Sequence, residues 1–321
     1  MIATSSQHSV CVTIGQEIAN YGFPNSHPFG PFRMGAFWDE ARLQGLDAQV
    51  EVLQPVPATV EELARFHAME YIQQVQEQSK TGRGYLDYGD TPAFPGVYEA
   101  ASHVVGSALD AMRRIMAGRC ARAFVPIAGL HHARPERAGG FCVFNDIGVV
   151  IHSLRQEYGM QRIAYVDIDA HHGDGVFYAF ESDPDLCFLD FHQDGRSLYP
   201  GTGDASESGL GAAKGTKLNI PMPPGAGDVH FMQRWPQGVQ FLEEAKPEFF
   251  ILQCGADSIA GDPLTQLRLS ATLHGQVAAR LVRMAEELGH GRILALGGGG
   301  YNPLNIGKGW CAVTRALINT P

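Results

Sequence analysis

Five ionisable side chains crowd eight residues of one stretch, RIAYVDIDAHHGDG, running from Arg162 to Gly175: Asp167, Asp169, His171, His172 and Asp174. Carboxylates and imidazoles at this density offer hard oxygen and nitrogen ligands to a divalent cation. The residues that lead into them, Ile163 to Ile168, form an apolar, β-branched run of the kind that makes a buried strand. In open α/β sheets, ligands gather outside the carboxyl ends of the strands. The stretch therefore predicts a metal site on the lip of a parallel sheet. Side chains of an extended segment alternate sides, so Asp167, Asp169 and His171 at i, i+2 and i+4 are expected to share one side.

Three other apolar runs are followed at once by reactive or glycine-rich sequence. His131 and His132 follow one, Asp257 another, and Tyr301 stands behind Gly297 to Gly300 after the third. If these strands are parallel, all of the groups reach one sheet edge from positions more than a hundred residues apart. Asp169, His171 and Asp257 would give an O, N, O ligand set with a position left open, the pattern of a catalytic zinc. Such a metal polarises a carbonyl and lowers the pKa of water. His131 and His132 could supply general base and acid. Asp167 and Asp174 suit the far ring nitrogens of those histidines. Tyr301 could donate to a developing oxyanion.

The elements that must position these groups alternate. Strands are predicted at Ser9 to Ile14, Gln49 to Leu53, Arg122 to Ile127, Ile163 to Ile168, Cys187 to Phe191, Phe249 to Cys254 and Arg292 to Leu296. Helices are predicted from Arg33 to Leu43, from Thr59 to about Lys80, and from Val97 to Ala117. Further helices run from Asn145 to Glu157, Asp228 to Ala245, Leu269 to Leu288 and onward from Pro303. Thr59 with Glu62 three residues later forms a capping box. This alternation implies right-handed crossovers and a mostly parallel sheet. The long loops YGFPNSHPFGPF and TGRGYLDYGDTPAFPG exceed what connection alone requires.

With 321 residues, 45% apolar and 18% charged, the chain can bury a large core, and no linker divides it. A net charge of −10 argues against nucleic-acid or anionic-membrane partners. Six cysteines with no C-x-x-C pair, several inside apolar runs, suggest reduced thiols and a cytoplasmic setting. The N-terminus has no basic and apolar signal pattern, and no apolar run approaches a membrane span.

The blocks HPFGPFR, DTPAFPG, HHA…GGFCVFND, VDIDAHHGDGV, YPGTGD, GADSIAGDP and LGGGGYN, in this order from about Ser26 to Asn302, resemble the histone deacetylase superfamily. That superfamily includes acetoin-utilisation proteins, acetylpolyamine amidohydrolases and the eukaryotic zinc-dependent deacetylases. The resemblance implies one catalytic domain over residues 1–321. Its fold would be a three-layer α/β/α, arginase-like arrangement with an eight-stranded, mostly parallel sheet. It implies zinc on Asp169, His171 and Asp257, with iron(II) or cobalt(II) able to use the same ligands. By the same resemblance His132 is general base and acid, His131 its electrostatic partner, and Asp174 and Asp167 their respective carboxylates. Tyr301 polarises the carbonyl. Asp90 grips the substrate backbone, Gly140 offers its carbonyl to the substrate amide, Phe141 and Tyr199 wall the acyl-lysine tunnel, and Arg33 lies beside an acetate channel.

The resemblance also implies structural potassium. One site would use Asp167, Asp169 and His171 carbonyls with Asp190 and Phe191. A second would use carbonyls near Phe180, Asp183 and Leu186. The chain departs from the common pattern at three positions: Tyr199 stands where phenylalanine is common, Asp190 where serine is frequent, and Leu130 where proline or tryptophan precedes the histidines. The implied activity is removal of an acetyl group from an acetylated lysine peptide or protein. The alternative substrate is an acetylpolyamine or another small acylated amine, and the alternative role is a non-catalytic metal-binding relative. Oligomeric state is left open.

Overall fold

The computed structural model describes residues 10–320. Ser9, the predicted start of the first strand, and the N-terminal segment judged free of a secretory signal lie outside the described residues. Eight strands form one sheet: β1 (Val10–Thr13), β2 (Glu51–Leu53), β3 (Arg122–Val125), β4 (Ile163–Asp167), β5 (Leu186–Gln193), β6 (Lys217–Met222), β7 (Phe249–Gln253) and β8 (Ile293–Leu296). Their spatial order is β2-β1-β3-β8-β7-β4-β5-β6, and every neighbouring pair is parallel. Parallel strands need crossovers that cover both faces, which explains why β1, β3, β4, β5, β7 and β8 are buried at every residue. In β7 alone, FFIL removes four large side chains from water, at about 1.5–3 kcal/mol each.

Among the described residues ten α-helices accompany the sheet. They are α1 (Gln16–Ala19), α2 (Phe32–Leu43), α3 (Val60–Leu63), α4 (Met69–Thr81), α5 (Val97–Met116), α6 (Asp146–Tyr158), α7 (Asp174–Ala179), α8 (Asp228–Ala245), α9 (Ala271–Glu287) and α10 (Pro303–Asn319). The 20-residue α5 lies on β1, β3 and β8 and against α4 and α6. On the other side α10 joins α2 and α9, and α9 rests on β7 and β8.

Two expectations change. The helix predicted from Thr59 to Lys80 is broken. The capping box forms as expected, with Glu62 N–H on Thr59 Oγ1 at 3.2 Å and Thr59 N–H on Glu62 Oε2 at 2.8 Å. Past Leu63 the chain turns inward. His67 is buried, its Nε2 accepts the Asn145 N–H at 2.9 Å, and the Ala68 N–H donates to the Pro135 carbonyl at 2.9 Å. These long-range bonds outcompete one continuous helix. The second change is β6, which the strand pattern did not predict. Lys217, Asn219 and Pro221 interrupt its apolar positions, and a proline is admissible because β6 is an edge strand.

The register levels the strand ends. Val125 pairs with Leu296, Leu296 with Gln253, Gln253 with Asp167 and Asp167 with Asp190. The loops after β3, β8, β7 and β4 therefore leave one edge side by side.

Candidate metal centre

Beyond Asp167 the chain is not extended. Asp167 Oδ1 accepts the Asp169 N–H at 2.9 Å, and Asp169 Oδ1 accepts the His171 N–H at 2.9 Å. These two successive turns separate the side chains that alternation would have grouped. Asp167 faces His131, whereas Asp169 and His171 face Asp257, which sits in a short 3-10 turn after β7. His171 Nδ1 lies 3.0 Å from Asp169 Oδ1 and 3.2 Å from Asp257 Oδ2. One ligand atom from each of the three residues falls within 4.8 Å of the others, and all three are buried. Burial and the neighbouring Asp169 charge push Asp257 up to about 7. Two buried carboxylates aimed at one imidazole nitrogen form a donor set that a divalent cation would relieve, so the residues fit a metal.

The glycines let backbone reach this point. A Cβ on Gly299 would overlap Asp257 Oδ2, and one on Gly255 would overlap Asp169 Oδ2. The Gly299 N–H instead donates to Asp169 Oδ2 at 2.8 Å.

The tandem histidines stand alongside. His131 Nδ1 is 2.7 Å from Asp167 Oδ2, and His132 Nδ1 is 2.7 Å from Asp174 Oδ1. Their Nε2 atoms are 3.0 Å apart, so the facing nitrogens can share one proton but not hold one each. Burial works against a charge on His131, yet Asp167 and Asp169 outweigh it and raise its pKa to about 9. Burial and the adjacent His131 lower His132 to about 4. Of the two rings, His131 therefore holds a proton more readily than His132.

Tyr301 lines the same narrow cavity with Asp169, His171, both histidines and Gly140. Burial and the Asp257 charge hold its phenol well above the usual range, so the hydroxyl is a proton donor. Its ring lies 5.9 Å from that of Phe141. Phe141 adopts a positive φ of 68°, held by Tyr21, whose hydroxyl donates to the Phe141 carbonyl at 2.7 Å. Tyr199 is 44% exposed, and its ring centroid is 5.0 Å from His132. Exposed Asp90 lines the surface groove that also contains Tyr199 and His132. Arg33 is fully buried. Its Nε donates to the Gly300 carbonyl at 3.0 Å and its Nη2 to that of Gly298, while Nη1 has no partner among the described residues. Asp190 accepts from the Gly173 N–H and faces His192 Nδ1, both at 2.8 Å. His172 lies away from the ligands, with Nδ1 2.8 Å from Thr202 Oγ1.

Several positioning residues carry no sequence signal of their own. Buried Asp146 accepts the Gly129 and Leu130 N–H groups at 2.9 Å and shapes the turn before His131. Gln253 donates to Asp169 Oδ2 at 2.8 Å, Arg134 to Asp174 Oδ2 at 2.9 Å, and Tyr165 to Asp167 Oδ2 at 2.5 Å. Asp262 Oδ2 accepts the Tyr301 N–H at 2.9 Å.

Comparison with known proteins gives concordant matches. The family model described as "Histone deacetylase domain" matches residues 27–317. The chain is 35% identical over 304 residues to the acetoin utilization protein AcuC of Bacillus subtilis, covering 92% of this chain and 77% of that protein. It is 32% identical to histone deacetylase RPD3 of Saccharomyces cerevisiae over 99% of this chain and 74% of that one. It is also 35% identical to a probable deacetylase of Archaeoglobus fulgidus, over 86% and 77%. Among solved structures, the HDA15 HD domain superposes with a TM-score of 0.88 at 26% identity, over 98% of this chain and 89% of that one.

Proposed function

The chain belongs to the histone deacetylase family, and from that premise we propose that it is a zinc-dependent deacetylase. It would hydrolyse the amide of an acetylated lysine side chain, or of a similar acylated primary amine, and release acetate. The observation that carries this reading is the clustering of the Asp169, His171 and Asp257 donors beside a cavity that Asp169 and His171 line together with two histidines, each backed by a carboxylate. Zinc held by those three residues would polarise the amide carbonyl and make water acidic enough to attack it. Iron(II) or cobalt(II) suits the same donors.

The chain's own groups do the rest. His132 takes the proton of the attacking water at Nε2 and passes it to the leaving amine, a role for which a neutral ring is ready. Asp174 holds the Nδ1 proton and fixes the tautomer, and Arg134 steadies that carboxylate. His131, bound to Asp167 through Nδ1, leaves its own Nε2 without a proton while His132 Nε2 holds one, and acts as the electrostatic partner. Tyr301 donates its hydroxyl proton in a hydrogen bond to the developing oxyanion. Phe141 and Tyr199 flank the substrate's methylenes, the Gly140 carbonyl meets its amide N–H, and Asp90 grips its backbone. The free Nη1 of buried Arg33 supports a path for the departing acetate. Buried carboxylates on Asp167, Asp169 and Asp190 support a potassium ion on the Asp167, Asp169 and His171 carbonyls with Asp190 and Phe191. Six free, buried cysteines support a reducing compartment such as the cytoplasm, with the whole chain acting as one catalytic unit.

The test is amine release from an acetyl-lysine peptide by the purified, zinc-loaded protein, compared with acetylputrescine as the small-amine alternative. Chelation should abolish turnover. Equal activity of wild type, Tyr301→Phe and His132→Ala would sink the mechanism.

A further inference from the structure

The family resemblance implies a second structural cation on carbonyls near Phe180, Asp183 and Leu186. Those acceptors are already engaged. Lys217, at the start of β6, points its ammonium at them: Nζ donates to the Asp183 carbonyl at 2.7 Å, the Leu186 carbonyl at 2.8 Å and Thr216 Oγ1 at 2.7 Å. Three N–H groups thus meet three oxygens, and the ammonium is fully satisfied. The Phe180 carbonyl is taken as well, by the Asp183 N–H at 3.0 Å.

Lys217 is only 2% exposed, a placement that lysine tolerates only with dedicated partners. Those partners are neutral oxygens. The Asp183 carboxylate turns instead to Arg155 and to the Asp185 N–H. A compact +1 charge held by two backbone carbonyls and a hydroxyl is the recognition pattern of a bare monovalent cation. Burial draws the ammonium down to about 8, against the pull of Asp183, so it is still protonated at neutral pH. The expected site therefore does not fit a potassium ion. We infer that the Lys217 ammonium takes the place of the second structural monovalent cation, so that this chain supplies covalently a charge that the resemblance assigns to an ion.

The inference concerns ion stoichiometry and leaves the deacetylase reading untouched, so its test uses no activity assay. Equilibrium dialysis of the zinc-loaded, full-length protein against thallium(I) nitrate, a potassium surrogate, counts tightly bound ions per chain. Wild type is expected to bind no more than one. Lys217→Ala removes the ammonium and exposes the carbonyls, and should bind one more than wild type. Its melting temperature should be several degrees below wild type in tetramethylammonium nitrate and recover selectively as potassium is added. Two tightly bound thallium ions on wild type would overturn the inference, as would a Lys217→Ala protein that gains none. If that variant does not fold, the wild-type count decides alone: two overturns the inference, and one or none upholds it.

Discussion

His131 and His132 are adjacent in sequence and matched in partner geometry, yet the fold gives them opposite electrostatics. Each holds a carboxylate at 2.7 Å. The difference lies beyond that partner, because His131 also feels Asp169 and Asp190, whereas His132 feels the charges of His131 and His171. A neutral His132 can take a proton at neutral pH, and Asp174 raises its affinity for it. Asp174→Asn should therefore lower kcat by on the order of 10²-fold and move the acidic limb of the kcat/KM profile to lower pH, since the support for the imidazolium is gone. A profile displaced upward would contradict this pairing. Metal binding separates from proton transfer at the same scale. Asp257→Ala should weaken zinc affinity by more than about 100-fold, while Tyr301→Phe keeps its zinc and loses turnover. Elemental analysis of both dialysed proteins checks the split.

At the scale of elements, what was legible depended on whether a residue's role follows from its own neighbourhood in the chain. Asp257 could be read because it follows FFILQ, a run that can hardly be anything but a buried strand. The HH pair could be read for the same reason, after RAFV. Asp146 could not. It looks like an ordinary acidic residue opening a helix, and its real work is to bind the Gly129 and Leu130 N–H groups, 17 and 16 residues upstream. Gln253 and Tyr21 are hidden in the same way, since they act only across the fold. The strand β6 escaped because Lys217 interrupts an apolar pattern for a reason that lies on another element. The helix break after Leu63 comes from His67, which local propensity ignores. Asp146→Ala should leave two buried N–H groups unpaired and cost about 2–3 kcal/mol, with a fall in kcat as the turn carrying the histidines loosens. Urea denaturation and steady-state kinetics on the same preparation measure both. An unchanged kcat would show that the turn holds its shape without the carboxylate.

For the whole molecule, the interior holds several imidazoles, His67, His132, His172 and His274, that burial keeps neutral, and this shapes its response to acid. His67 is the clearest, because no metal donor contributes to its shift and it has defined partners: Nε2 accepts the Asn145 N–H, and Nδ1 faces the Pro135 carbonyl at 3.4 Å. Burial lowers it from 6.5 to about 3. In the unfolded chain it binds a proton near 6.5, and in the folded chain only near 3, so between these values the unfolded state holds the extra proton. The stability contributed by neutral His67 is therefore complete above pH 6.5. It is lost as pH falls toward 3, at a limiting slope of about 1.4 kcal/mol per pH unit. His274 shifts in the same direction and adds to the slope. Replacing His67 with glutamine keeps an acceptor and a donor but removes the titration. His67→Gln should cost some stability at pH 7.5, yet its denaturation midpoint should fall less steeply than wild type between pH 6.5 and 4.5, by close to one proton. Parallel slopes in the two proteins would mean that acid acts elsewhere. The break between α3 and α4, and the docking of Asn145 on it, would then owe nothing to the protonation state of this ring.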